Sequence, residues 1–220
     1  MFRFDFHIHS IYSTDGILSP QRIIKIAYSK GLNAVAITDH DTIKGGLQAK
    51  SIKQDKVIIV VGSEVNTDFG DIIGLFLNKE IKSRRFGEVI DEIKAQGGIV
   101  VLPHPYRRKK FPDEELLKRV DVIEGINGRT PEELNLKAQE LARKLKKPMI
   151  AGSDAHFSFE LGRIWNVAEN VSNCDEEELK EMLLNGGIEM CSKNTHSLLR
   201  KTSIVLGAGI KRIRSLRVRR

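Results

Sequence analysis

The chain holds six histidines, and five of them fall where a β-like run of residues ends: His7, His9, His40, His104 and His156. Carboxylates gather at the same kind of position in Asp15, Asp39, Asp41, Glu64 and Asp154, with Asp71 opening a further run. His7 and His9 are two residues apart, as are Asp154 and His156. On an extended strand this spacing puts both side chains on one face, about 7 Å apart at Cα. A divalent ion with metal–nitrogen distances of about 2.1 Å fits between two imidazole tips so placed. One His-x-His pair is weak evidence, because histidines also occur as satisfied core residues. Two pairs, joined by histidines and a glutamate at other strand ends, point to a metal site.

Taken singly, several of these residues have ordinary readings. His104, within Pro-His-Pro, suits a strand cap, and Asp15, before Gly16, suits a turn. Asp39 and Asp41 flank His40 and read as a cap and a hydrogen-bonding support for a ligand. Asp5, one step below His7 and His9, also reads as a support. Glu64 follows the apolar run 57–62 and Ser63. A carboxylate there is costly unless it ligates a metal or forms an ion pair. His196, beside Lys193, Asn194 and Thr195, reads as solvent-exposed.

The elements that must position these groups alternate along the chain. Residues 2–9, 34–40, 57–64, 71–77, 98–104, 121–127, 148–154 and 165–170 read as strands, rich in valine and isoleucine. Residues 20–29, 86–96, 131–146 and 175–185 read as helices, with Ser19-Pro20, Thr130-Pro131 and 173–175 as starts and Gly31, Gly97 and Gly186 as stops. Such alternation implies a mostly parallel α/β sheet, either open or closed as a barrel. In the first strand Phe2, Phe4, Phe6 and Ile8 share one face, and Arg3, Asp5, His7 and His9 the other. That pattern favours a barrel with helices outside and chemistry inside. Loops at the C-terminal ends of its strands converge, so residues distant in sequence can meet there.

The composition of the 220 residues, 40% hydrophobic and 30% charged, allows a sizeable core and excludes a disordered polyelectrolyte. The longest apolar stretches (57–62, 72–77, 204–210) fall far short of the roughly 20 residues of a membrane-spanning helix. The opening MFRFDFHIHS carries charge where a signal peptide needs an apolar core. Cys174 and Cys191 are too few for a disulfide scaffold or a cysteine-rich zinc site, so a cytoplasmic setting is expected. The net charge of +7 is local: residues 200–220 carry eight cations and no acid, which leaves the remainder near neutral. The expected division is a barrel over 1–195 and a short basic C-terminal extension over 196–220. In that extension Ile204, Val205, Ile210, Ile213, Leu216 and Val218 alternate with cations. Either the apolar residues dock on the barrel, or the cations contact nucleic acid or an anionic surface. The absence of aromatic residues argues against a single-strand stacking platform.

In order, DFHIHS, STDG, TDHD, the Gly-Ser-Glu after a valine-rich run, LPHPY and GSDAH resemble the PHP (polymerase and histidinol phosphatase) domain over about residues 5–165. The resemblance implies a distorted seven-stranded (β/α) TIM-like barrel and a metal-dependent phosphoesterase. It also implies two or three divalent ions, drawn from manganese, zinc, iron and magnesium. His7, His9, Glu64 and Asp154 would hold the first; Glu64 would bridge to a second, also bound by His104; Asp15, His40 and His156 would hold the third. Asp71 stands where related sequences commonly carry a histidine, and its hard oxygen tilts the second site toward manganese or magnesium.

The expected reaction is in-line hydrolysis of a phosphate ester by metal-activated hydroxide, with a small-molecule or nucleotide monoester favoured. Arg129, Arg107 and Asn127 are the leading candidates for contacting substrate, with Arg108 and Arg163 behind them. A nuclease or oligonucleotide phosphodiesterase fed by the basic tail is the alternative. An inactive domain that binds nucleic acid or a partner is a lesser one. An amidohydrolase barrel also uses His-x-His, but STDG, TDHD and Glu64 fit it poorly.

Overall fold

The computed structural model describes residues 1–108, 110–169, 174–193 and 197–218. All eight β-like runs form strands: β1 (Phe2–Ile8), β2 (Ala34–Ile37), β3 (Ile58–Thr67), β4 (Gly70–Leu75), β5 (Ile99–Leu102), β6 (Val122–Asn127), β7 (Met149–Gly152) and β8 (Ile164–Ala168). A ninth, β9 (Glu189–Ser192), lacks β-branched residues and exists by antiparallel pairing with β8. The four expected helices are α1 (Pro20–Ser29), α3 (Phe86–Lys94), α5 (Glu132–Leu145) and α6 (Glu176–Asn185). Ser19 caps α1 by accepting from the Arg22 amide, and Asp175 closes a reciprocal capping box with Glu178 on α6.

Three helices are additional: α2 (Lys44–Ser51), α4 (Glu114–Lys118) and α7 (Ser197–Val218). The α2 sequence, KGGLQAKS, has poor helical character and no side-chain cap. Packing decides it, because at Gly46 the helix backbone lies against Val61, where a Cβ would sit 3.1 Å from the Val61 Cα.

The strands form one sheet in the order β7-β6-β5-β4-β3-β2-β1-β8-β9. Among the described residues nine strands take part where seven were expected, and only half of the pairings are parallel: β1–β2, β2–β3, β5–β6 and β6–β7. The expectation of a mostly parallel sheet is corrected by two connections that lack a helix. β4 returns on β3 through a tight turn at Gly70 (φ +114°), and β8 follows β7 without a crossover.

The sheet curls until its ends nearly meet. The amide of His9 donates to the Ala155 carbonyl at 2.8 Å, joining β1 to the segment after β7. Asn166 on β8 completes the seam: its Oδ1 accepts from the Ala151 amide (2.7 Å), and its Nδ2 donates to the carbonyls of Ala151 (2.7 Å) and Phe4 (3.3 Å). The result is an α/β, nearly closed, barrel-like architecture.

Phe2, Phe4 and Phe6 pack with Ala36, Val60, Val101 and Ile150 from strands around the sheet, and Leu179 and Leu183 of α6 join them. The phenylalanine row therefore fills the barrel interior instead of facing the outer helices. The β1–β2 register shifts between Asp5 and Ile8, and Ile8 joins the outer layer with Ile23 of α1. Beyond this bulge His7 and His9 point into the C-terminal mouth, so the chemistry still sits inside.

Replacing Asn166 with Ala leaves two buried Ala151 backbone groups unpaired and is expected to cost roughly 1–3 kcal/mol in urea unfolding. An unchanged midpoint would contradict the seam. Burial pushes the Asp5 carboxyl up to about 7, although the His7 and Ser153 amides both donate to its Oδ1. The unfolded chain loses this proton near 3.8. Between those values the folded state holds a proton the unfolded state has lost, so stability falls as pH rises. Asp5→Asn should therefore stabilise the fold more at about pH 8 than at about pH 5, by roughly 2–3 kcal/mol. An equal effect at the two pH values would refute the burial cost.

Candidate metal centre

The mouth of the barrel collects its polar residues from six strands and the loops beside them. The β1 end brings His7 and His9, the loop after it Asp15, and the β2 end His40. Glu64 stands within β3, Asp71 near the start of β4, His104 just after β5, and Asp154 and His156 after β7. Each of these nine residues lies within hydrogen-bonding or ion-pairing reach of another of the set, or shares with others a group of candidate donor atoms within 4.8 Å.

Four donors converge on one point. The Nε2 atoms of His7 and His9 lie 3.5 and 3.3 Å from Glu64 Oε2, and 3.6 and 3.4 Å from Asp154 Oδ1. Ligand atoms around a tetrahedral ion with bonds of about 2.1 Å stand roughly 3.4 Å apart. The other Glu64 oxygen, Oε1, meets His104 Nε2 at 2.8 Å. Glu64, Asp71 and His104 also offer donor atoms within 4.8 Å of one another. Further out, Asp15 Oδ1 lies 3.2 Å from His156 Nε2 and 3.5 Å from His40 Nε2. His40 Nδ1 returns to Glu64 Oε2 at 3.1 Å.

These residues fit divalent metal on an observation independent of the pattern. His7 Nε2, His9 Nε2, His156 Nε2 and Asp15 Oδ1 are buried without a hydrogen-bond partner. Four orphaned polar atoms would be expensive in a finished protein interior, and bound divalent cations would satisfy them. Two candidate ligands, His104 (φ +28°) and Asp154 (φ +53°), also hold left-handed backbone conformations that non-glycine residues rarely adopt.

Supports behind the ring aim it. Glu124 Oε1 accepts from His7 Nδ1 at 2.8 Å, which leaves His7 Nε2 toward the cluster. Ser13 Oγ donates to Asp39 Oδ1 (2.8 Å) and therefore accepts from His9 Nδ1 (3.0 Å). Asp39 is further held by the Ser10 amide (2.6 Å) and hydroxyl (2.7 Å), which makes it the hydrogen-bonding support expected of it. Asp41 stands at the rim instead, 3.3 Å from Arg84 Nε. Gly152 has to be glycine, since a Cβ there would overlap the Glu124 carboxylate and lie 2.6 Å from the His7 Cβ. Sequence reasoning missed Glu124 and Ser13. The signal for Glu124 was present as a lone acid inside the apolar strand VIEGIN.

Protons take the place of cations here. Burial alone would push His7 down, yet the carboxylates of Glu124, Asp154 and Glu64 hold it well above its ordinary value. Burial likewise opposes the charged forms of Glu64 and Asp154, and the imidazole of His7 leads the groups that hold both well below the usual carboxylate range. His40, despite burial, is raised to about 10 by Asp15 and Glu64. His156 is lowered to about 4 by burial and by His9, so it stays neutral with a ring nitrogen available.

The expected substrate contacts are placed as follows. Arg107 Nη2 donates to Asp154 Oδ2 (2.7 Å), Asn127 Oδ1 (2.6 Å) and Thr130 Oγ (3.1 Å), with a third of its side chain exposed. Asn127 is buried, and its Nδ2 donates to Glu124 Oε2 (3.0 Å) and Asp154 Oδ2 (3.3 Å). Arg129 is nearly buried: Nη1 meets His156 Nδ1 at 2.9 Å and Nη2 donates to the Ser203 carbonyl at 3.0 Å. Arg108 pairs with Asp71 at 3.3 Å, and Arg163 turns to the Phe159 carbonyl at 2.7 Å. His196 lies outside the described residues.

The tail reaches this site. Besides Ser203, Arg214 Nη1 donates to the Ser13 carbonyl at 2.6 Å, and the Ser203 hydroxyl bonds Glu160, whose Oε2 accepts the His156 amide at 2.7 Å. Of the tail's aliphatic residues Ile210 is half-buried, whereas Ile204, Val205, Ile213 and Leu216 are exposed; α7 docks through Ser203, Gly207, Ile210 and Arg214. Among the described residues no helix is long and apolar enough to cross a membrane.

Residues 5–141 match the PHP domain model and residues 132–187 the PHP-associated model. The chain belongs to the PHP domain family. It is 35% identical over 193 residues to an uncharacterized protein, MJ0417, of Methanocaldococcus jannaschii, covering 81% of this chain and 76% of that protein. A 5'-3' exoribonuclease of Haemophilus influenzae is 37% identical over 82 residues, 35% of this chain and 30% of that one. The fold is shared with a two-domain protein of Bacteroides vulgatus that contains a predicted PHP-like metal-dependent phosphoesterase. Its TM-score is 0.66 at 21% identity, over 87% of this chain and 64% of that one.

Glu124→Gln and Gly152→Ala should each weaken divalent-metal affinity about 10- to 100-fold in a competitive chelator titration, by releasing the His7 ring. Unaltered affinity in both would show that Glu124 does not orient this ligand.

Proposed function

We propose that this chain hydrolyses a phosphate ester at a centre of two or three divalent ions. The observation that carries the reading is the set of buried, unpartnered donor atoms: His7 Nε2 and His9 Nε2 beside Glu64 and Asp154, and His156 Nε2 and Asp15 Oδ1 beside each other. In this reading His7, His9, Glu64 and Asp154 hold one ion, and Glu64, His104 and Asp71 a second. Asp15, His40 and His156 hold a third. Asp71 favours manganese or magnesium at the second position, and the imidazole-rich positions also suit zinc or iron. Bound there, the ions neutralise a phosphoryl group and lower the pKa of a water.

The chain's own groups supply position. Arg107 is fixed by Asn127 and Thr130 with a third of its side chain exposed, and a substrate oxygen would meet it beside Asp154. Asn127 positions both Arg107 and Asp154, His156 Nδ1 donates to the Asp154 carbonyl (2.9 Å) so that Nε2 is left for a metal, and Arg129 ties this flank to α7 through the Ser203 carbonyl. Among the candidate ligands the His40 side chain is the most open, at 31%. Substrate approach between His40 and Arg107 is consistent with these exposures. Because α7 lies over the Asp15 and Arg129 flank, a terminal phosphate fits better than a chain running across the mouth. A small-molecule or nucleotide monoester is therefore the leading substrate class.

A second reading is cleavage at the end of an oligonucleotide, favoured by the similarity to the exoribonuclease and by Arg108 and Lys110 beside Arg107. Truncating the tail would not separate the two, because α7 touches residues that support His9 and His156. Substrate comparison separates them. With manganese, an aryl phosphate monoester should turn over at least about tenfold faster than the diester, and His9→Ala or Asp154→Asn should lower kcat at least about a thousandfold. Oligonucleotide turnover exceeding both aryl esters would select the second reading. Full activity in either variant would sink the metal scheme.

A further inference from the structure

α7 turns one narrow face to the barrel. Ser203 and Gly207 are buried and Ile210 and Arg214 half-buried, a spacing that defines a single helical stripe. Away from it Val205, Leu206, Ile213 and Leu216 are 70%, 46%, 57% and 59% exposed. With exposed Gly209 between them, positions 205, 209, 213 and 216 fall on one side of the helix, so Val205, Ile213 and Leu216 form a row, with exposed Ile204 and Leu206 on either side of it. Solvent-exposed aliphatic rows of this kind mark interaction surfaces.

The charge around the row is one-sided. Residues 200–220 contain eight cations and no acid, and Lys211 and Arg212 are exposed. An aliphatic row bordered on one edge by Arg212, with Lys211 further round, matches a helix that lies in the interfacial plane of a bilayer, burying its apolar side among acyl chains while the cations meet anionic headgroups. We propose that the outer face of α7 docks on an anionic membrane surface. Nucleic acid would satisfy the cations but leave Val205, Ile213 and Leu216 wet, and the tail has no aromatic group to stack on a base. A second copy of the chain would cover the row but bring two cationic tails together. The proposal does not depend on the phosphoesterase reading, because docking uses the helix face opposite the metal centre.

The full chain is tested by flotation with vesicles of phosphatidylcholine alone and of phosphatidylcholine and phosphatidylglycerol in equal parts. It should float with the second and not with the first. The double variant Val205→Glu, Ile213→Glu should lose binding at least about tenfold, and Lys211→Gln with Arg212→Gln should weaken it and flatten its salt dependence. All four side chains are exposed, and unchanged thermal melts will verify that the variants fold. Failure to bind anionic vesicles, or equal binding by the Glu variant, overturns the proposal. So does self-association in sedimentation velocity that the Glu variant abolishes, which would assign the face to a second copy. Retention by single-stranded RNA without vesicle binding would assign it to nucleic acid.

Discussion

A single buried carboxylate organises this molecule. Glu64 is almost fully enclosed, and its two oxygens face four imidazoles, those of His7, His9, His40 and His104. Such a group is tolerated inside a protein only when positive charge meets it. With protons as the counter-charge, the arrangement leaves several ring nitrogens without partners. With divalent ions the same donors are satisfied, and the surrounding supports make sense. Glu124 and the Ser13–Asp39 relay spend their hydrogen bonds on ring orientation, which matters to a metal far more than to a proton.

The fold serves that constraint by bringing remote strand ends together. The end of β1 supplies two candidate ligands, so the barrel must close beside it, and closure depends on Asn166 and on the backbone link between His9 and Ala155. The interior below the mouth is filled by phenylalanine and small aliphatic residues, which keep water from the floor of the site. Above it, α7 ties Arg129, Glu160 and Ser13 into a wall. The basic tail is thereby part of the site's surroundings as well as a surface of its own.

Much of this was legible in the residues. The strand runs, four helices and the nine clustered polar residues follow from valine-rich periodicity, caps and short-range spacing, all of which are local signals. What escaped reading depends on tertiary context. β9 has no strand-like composition and is made by its neighbour, and α2 forms because Gly46 can approach Val61. The parity of β1 was misread because a bulge between Asp5 and Ile8 leaves no mark in an alternating sequence. Arg129 and Asn127 read as substrate contacts, and what local signals do not reveal are their neighbours His156, Ser203, Glu124 and Asp154, all distant in sequence except Glu124. The tail's alternation of aliphatic and charged residues left its docking open; Ile210 and the small and polar Ser203, Gly207 and Arg214 make the contact.

The account rests most directly on metal stoichiometry. Purified protein, stripped with chelator, reconstituted with manganese or zinc and desalted, should retain two or three divalent ions per chain by inductively coupled plasma mass spectrometry. Retention of none after reconstitution would contradict the central claim and leave the buried histidines and carboxylates as a proton-satisfied structural cluster.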